Sequence, residues 1–162
     1  MDIPFYTNGL RFKCKRCSNC CRLSPGYVFL SENDIKDLLA ALKIERAKLL
    51  DEYCRIVNIN SFLRISLKEK ENYDCIFWKQ GNCAVYNKRP LQCRSYPFWS
   101  SILSSKKLWL SQKESCPGID NGSIHPRQKI EYWLKKRIRD KFIEISPNKV
   151  STIFKDQINN IG

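Results

Sequence analysis

One histidine, one methionine and six glycines are all that this 162-residue chain has of those types. With His125 alone, no Ser/His/Asp relay is available, and no carboxylate pair stands at a motif spacing. Both absences argue against a hydrolase. The glycines form no Gly-rich loop of nucleotide-binding spacing, which removes the usual cradle for a phosphate-bearing cofactor. No apolar run approaches the length needed to span a bilayer. Met1 to Lys13 has no run of signal-peptide type, so the expectation is a cytoplasmic protein. Acidic residues are also scarce, 16 against 29 Lys and Arg, leaving a net charge of +13. That excess favours an anionic partner, RNA or protein, through a basic surface.

What the chain has in plenty is cysteine. Nine are present, four of them in Cys14-Lys15-Arg16-Cys17-Ser18-Asn19-Cys20-Cys21. Cys54, Cys75, Cys83, Cys93 and Cys116 follow. In a reducing compartment clustered thiols read as metal ligands before disulfides, and an odd total pairs poorly. Cys54 lies on an apolar stripe with Ala47, Leu50 and Val57 and reads as a small buried hydrophobe. Eight ligand candidates remain: Cys14, Cys17, Cys20, Cys21, Cys75, Cys83, Cys93 and Cys116. Adjacent side chains diverge in a strand and stand about 100° apart on a helix. Cys20 and Cys21 therefore suit two neighbouring sites or a polynuclear centre better than one mononuclear ion. The spacing of Cys14, Cys17 and Cys20 matches the start of a ferredoxin run, although Cys21 departs from it. Iron–sulfur and zinc both stay open, with iron–sulfur slightly favoured.

With 43% hydrophobic and 28% charged residues, the composition is that of a globular protein of one ordinary domain. Ser31 and Asp34 form a helix-start box before Ile35, Leu38, Leu39 and Leu42, predicting a helix over 32–42. A second helix is expected at 45–57, and strands at 27–30 and 62–67. Runs at 75–78 and 83–86 flank Lys79-Gln80-Gly81-Asn82 as a hairpin. Pro90 starts a short helix carrying Cys93 and Arg94, and Phe98-Trp99 with Leu108-Trp109-Leu110 suggests another hairpin. Ile130, Trp133, Leu134, Ile138, Phe142 and Ile145 make a stripe over 126–145 with a basic opposite face. The whole predicts an α+β fold: hairpins and loops gathered on a Cys-ligated metal centre and flanked by helices. Residues 1–125 form the cysteine-cluster domain, and 126–162 a basic amphipathic helix packed on it.

Three segments together carry a family resemblance: the N-terminal Cys-x2-Cys-x2-Cys-Cys, Gly81-Asn82-Cys83-Ala84-Val85-Tyr86, and Arg89-Pro90-x-x-Cys93-Arg94-x-Tyr96-Pro97-Phe98. Over residues 12–118 the sequence resembles the YkgJ-type cysteine-cluster proteins, a zinc- or iron-chelating domain family. The resemblance implies metal binding at Cys14, Cys17, Cys20, Cys21, Cys75, Cys83 and Cys93; Cys116 is added by proximity and count. Related clusters occur in flagellin lysine methylases, but without a nucleotide-binding loop the methyl-transfer activity does not carry over. Arg16, Arg22, Arg89 and Arg94 stand beside the cysteines, where their charge would steady a thiolate centre. Phe77, Trp78, Tyr86, Tyr96, Phe98 and Trp99 are candidates for a dry shell around it. The resulting expectation is a metal-binding cysteine-cluster protein, an electron carrier or metallated accessory factor. The rivals are a basic nucleic-acid-binding module with structural zinc and a redox or methyl-transfer enzyme component.

Overall fold

The computed structural model describes residues 3–22 and 24–147. Helix α1, Glu32–Leu42, begins where the Ser31 box predicts. The Ser31 hydroxyl accepts from the Asp34 amide, and the Asp34 carboxylate accepts from the Ser31 amide at 3.0 Å. Both groups are fully buried, so the reciprocal bonds satisfy donors that water cannot reach.

Helix α2, Arg46–Tyr53, ends earlier than the periodicity suggests, and strand β2, Cys54–Ile59, continues directly from it. Strand pairing overrides the helical pattern here. Residues 54–59 lie antiparallel to β3, Phe62–Leu67, with Cys54 opposite Leu67 and Ile59 opposite Phe62. Cys54 is fully buried in the core. Residues 27–30 form no named strand; Phe29 makes only a single bridge to Ser66.

The hairpin near the cysteines is present but short. Strands β4, Trp78–Lys79, and β5, Asn82–Cys83, are closed by Gln80 and Gly81, both at positive φ. That is the two-residue turn whose twist suits a hairpin. Next comes α3, Leu91–Ser95, starting after Pro90 as expected.

The hairpin expected across 98–110 is replaced by two short helices, α4, Ser100–Leu103, and α5, Lys106–Ser111. The Ser105 hydroxyl caps α5 by accepting from the Leu108 amide. Apolar runs this short suit either secondary structure, and the serine cap decides.

The N-terminal arm forms β1, Leu10–Phe12, which pairs with β6, Ile119–His125. Helix α6, Arg127–Arg139, is shorter than its stripe. Ile130 is buried, but Ile138 is 70% exposed. Ile145 lies on β7, Glu144–Ile145, beside β3. The expected helical tail beyond Pro147 lies outside the described residues.

The fold is therefore α+β, with two apolar clusters. One gathers Leu30, Ile35, Leu38, Leu49, Ile65 and Phe77 between α1, α2 and the β2–β3–β7 sheet. The other gathers Phe98, Ile102, Trp109, Ile119 and Ile130. No helix of the described residues is long and apolar enough to cross a membrane.

Candidate metal centre

The cysteines come together where the two clusters meet. Cys75 and Cys83 pack against the first cluster and Cys116 against the second. Cys14, Cys17, Cys20, Cys21, Cys75, Cys83, Cys93 and Cys116 all line one cavity of about 150 Å³. Cys54 and His125 do not line it. None of the nine cysteines is joined in a disulfide in this structure.

Main-chain and side-chain bonds hold the Cys14–Cys21 loop against the segments that carry Cys75, Cys83 and Cys116. The Cys75 amide donates to the Cys21 carbonyl at 2.8 Å. The Ser18 hydroxyl donates to the Gly81 carbonyl at 3.2 Å, docking the loop on the β4–β5 turn. The Asn19 side chain donates to the Ser115 carbonyl at 3.1 Å, next to Cys116. Arg16 and Ser18, between the first three cysteines, both hold positive φ, a conformation costing non-glycine residues about 1–2 kcal/mol each. Gly118 packs against Lys13, which leads into the loop. Its carbonyl accepts from the Lys13 amide at 3.1 Å, and a Cβ there would stand 2.5 Å from the Lys13 oxygen.

Helix α3 brings Cys93 to the cavity, and two residues that sequence reasoning missed position it. The Leu91 amide donates to Asp34 Oδ1 at 2.7 Å. Gln92 accepts from the Phe29 amide at 3.1 Å and donates to the Tyr27 carbonyl at 2.7 Å. The Ser31–Asp34 box announced the carboxylate, but nothing local announced its second partner 57 residues on.

The thiols feel one another. Cys20 Sγ lies 3.8 Å from Cys21 Sγ. A hydrogen bond from Cys21 brings the Cys20 thiol down to about 7, helped by Arg89; the same bond, then burial, pushes Cys21 up. Burial raises Cys93, with Cys75, Cys20 and Cys83 adding repulsion. Burial likewise raises Cys75 and Cys83. Burial and then Cys116 raise the Tyr96 phenol. Stripping protons from such a set concentrates negative charge in a poorly solvated place, and a bound cation is what offsets it. As the side chains stand, no three Cys, His, Asp or Glu among the described residues converge closely enough to hold a metal ion.

Arg16, Arg89 and Arg94 line the cavity; Arg22 does not. Arg22 instead pairs with Asp74 at 2.8 Å and lies over the Trp78 ring at 3.9 Å, holding the Asp74 carboxyl below its usual range. Arg89 is the cation whose charge reaches Cys20, Cys83 and Cys93. It donates to the Tyr86 carbonyl at 2.7 Å and covers the Tyr86 ring at 4.0 Å. Of the expected aromatic shell, Phe77, Tyr86 and Tyr96 line the cavity, and Phe12 joins them. Trp78, Phe98 and Trp99 do not line it. A second cleft of about 360 Å³ shares Cys20, Cys21, Cys75 and Cys93 with the thiol cavity.

Two curated proteins of Methanocaldococcus jannaschii are similar to this chain. "Uncharacterized protein MJ0661" is 29% identical over 110 residues, covering 65% of this chain and 55% of that protein. "Uncharacterized protein MJ0939" is 26% identical over 166 residues, covering 98% of this chain and 55% of that protein. The chain thus spans about half the length of these relatives. No solved structure matches it. The sequence model of the CxxCxxCC family, described as "Putative zinc- or iron-chelating domain", matches residues 13–117. That match covers more than half of the chain and takes in every cysteine of the cavity, and the chain belongs to the CxxCxxCC family of zinc- or iron-chelating domains.

Proposed function

We propose that this chain binds iron as an iron–sulfur centre through Cys14, Cys17, Cys20, Cys21, Cys75, Cys83, Cys93 and Cys116, and serves as a cytoplasmic electron carrier. The observation that carries the reading is one cavity lined by eight thiols and no imidazole or carboxylate. An all-sulfur donor set suits iron–sulfur clusters and zinc over harder ions. The ferredoxin-like spacing of Cys14, Cys17 and Cys20 favours iron. When bound, such a centre supplies one-electron chemistry. The protein's part is to hold the sulfurs, to set positive charge beside them through Arg89, Arg16 and Arg94, and to exclude water with Phe12, Phe77 and Tyr96. The second cleft leaves Cys20, Cys21, Cys75 and Cys93 open to a small donor or acceptor. The basic outer face of α6, with Lys129, Lys135 and Arg139 exposed, suits an anionic partner.

Zinc as a structural ion in an accessory factor is the second reading, favoured by the even division of eight thiols into two sets of four. Anaerobic purification with metal, sulfide and visible-absorption analysis separates the two. A brown sample with iron and acid-labile sulfide supports the electron carrier. A colourless one with stoichiometric zinc overturns it in favour of the accessory factor. A sample with neither metal overturns both. Cys93→Ser is expected to lower metal content, and Cys54→Ala to leave it unchanged.

A further inference from the structure

A third cavity, of about 450 Å³, lies between β3, the α3–α4 segment and α6, and none of the eight cysteines lines it. Its volume falls within the range of small-molecule sites, about 300–1,000 Å³. Two guanidiniums, Arg64 and Arg137, line it. Arg64 is ion-paired with Glu144 at 2.7 Å. Arg137 has no carboxylate within ion-pair distance among the described residues. Its guanidinium lies over the Phe142 ring at 3.5 Å, which covers one face and leaves its edge donors to be satisfied. Arg137 Nη1 and Arg64 Nε are both buried with no hydrogen-bond partner among the described residues. Buried donors of this kind are costly to leave unmade. Burial and the repulsion of Arg64 pull the Arg137 guanidinium below its usual range, against the distant pull of Asp34 and Asp140. Phe98, Trp99, Leu134 and the exposed Ile138 give the cavity apolar surface beside the arginines, and Gln92, Ser95, Ser100 and Ser101 also line it.

We propose that this cavity binds a small organic anion, a carboxylate or phosphate head on an apolar body, with the head on Arg137 and Arg64 and the body against Trp99, Leu134 and Ile138. An anionic head accepts from the guanidinium edges, where bonds to charged groups are the strong ones. The apolar wall removes the body from water. The site shares no cysteine with the thiol centre, and its arginines stand whether or not that centre holds metal.

Calorimetric titration of the full chain with decanoate tests it, with decanol as the neutral counterpart and inorganic phosphate as the head without a body. The expected result is saturable one-site binding of decanoate and none of decanol. Arg137→Gln should weaken decanoate binding at least tenfold, and Arg137→Lys less. Ile138→Glu changes an exposed residue, leaves the fold intact and should abolish binding by setting a carboxylate at the mouth. Phosphate displacing decanoate would assign the site to free small anions, and its failure to do so would assign it to anionic amphiphiles; either supports the site. No saturable binding of either anion, or equal decanoate affinity in wild type and Ile138→Glu, overturns it.

Discussion

Asp34 Oδ1 accepts a hydrogen bond from the Leu91 amide at 2.7 Å, so the carboxylate that caps α1 also anchors the helix that carries Cys93. Its other oxygen accepts from the Ser31 amide and hydroxyl. Asp34→Ala strands these fully buried donors. The expected cost is about 2–4 kcal/mol, from unmade buried bonds at about 1–3 kcal/mol each with partial relaxation. Ser31→Ala, which removes the cap alone, should cost about 1 kcal/mol. Urea unfolding with both midpoints measured checks the difference. Equal costs would mean that the bond to Leu91 contributes nothing.

Charge beside the sulfurs should govern how firmly the centre holds its metal. Arg89 lines the cavity, whereas Lys88 pairs with Asp37 at 2.9 Å on the surface. Arg89→Gln is expected to weaken metal affinity about tenfold, and Lys88→Gln to leave it unchanged. Competition with a chelator of known affinity measures both. Arg94, which stands 3.9 Å from Asp34, should have an effect between the two.

Gly118 tests whether the cavity depends on close backbone contact. Gly118→Ala would drive a methyl to 2.5 Å from the Lys13 oxygen and push the Cys116 turn from the strand that leads to Cys14. The expected result is a loss of about 1–3 kcal/mol, as for overpacking, together with lower metal content. Gly26→Ala meets nothing within 4 Å and is the matched control, expected to change neither.

His125 gives the fold a pH dependence. Its Nε2 lies 3.0 Å from the Phe12 carbonyl, the neutral ring donating there. Its Nδ1 is buried with no hydrogen-bond partner among the described residues. Burial holds its pKa below the usual 6.5, so the folded state prefers the neutral ring. This contribution to stability is complete above about 6.5 and is lost as pH falls through the lower folded value. Melting temperature should therefore decline on acidification below about 6.5, and His125→Gln should flatten that part of the profile. An unchanged profile in the variant would rule this out.

How much of this was legible beforehand depended on how local the cause was. The Ser31–Asp34 box, helix 32–42, strand 62–67 and a turn within 79–82 all rest on neighbours in sequence and are readable there, although of the flanking runs 75–78 and 83–86 only Trp78 and Cys83 are paired. The helical pattern over 54–57 does not hold because the strand partner of these residues is 64–67, outside any helical window. The hairpin pattern over 98–110 does not hold because apolar runs this short fit helix and strand alike, and the chain forms two short helices. The stripe through Ile138 and Phe142 failed because the chain leaves the helix after Arg139. At the cavity, the eight thiols could be counted, and Cys54 set aside, from the sequence alone. The roles of Asp34, Gln92 and Asn19 could not, since each reaches a segment 57 or more residues away.

The seam along which the cysteines lie has a mechanical corollary. Cys75 and Cys83 rest on one condensed core and Cys116 on the other, so ions bridging them would make two separately buried halves open and close together. Amide exchange in α5, on the far half, would then slow when metal is loaded beside Cys75, and the inorganic cargo would set the size of the cooperative unit.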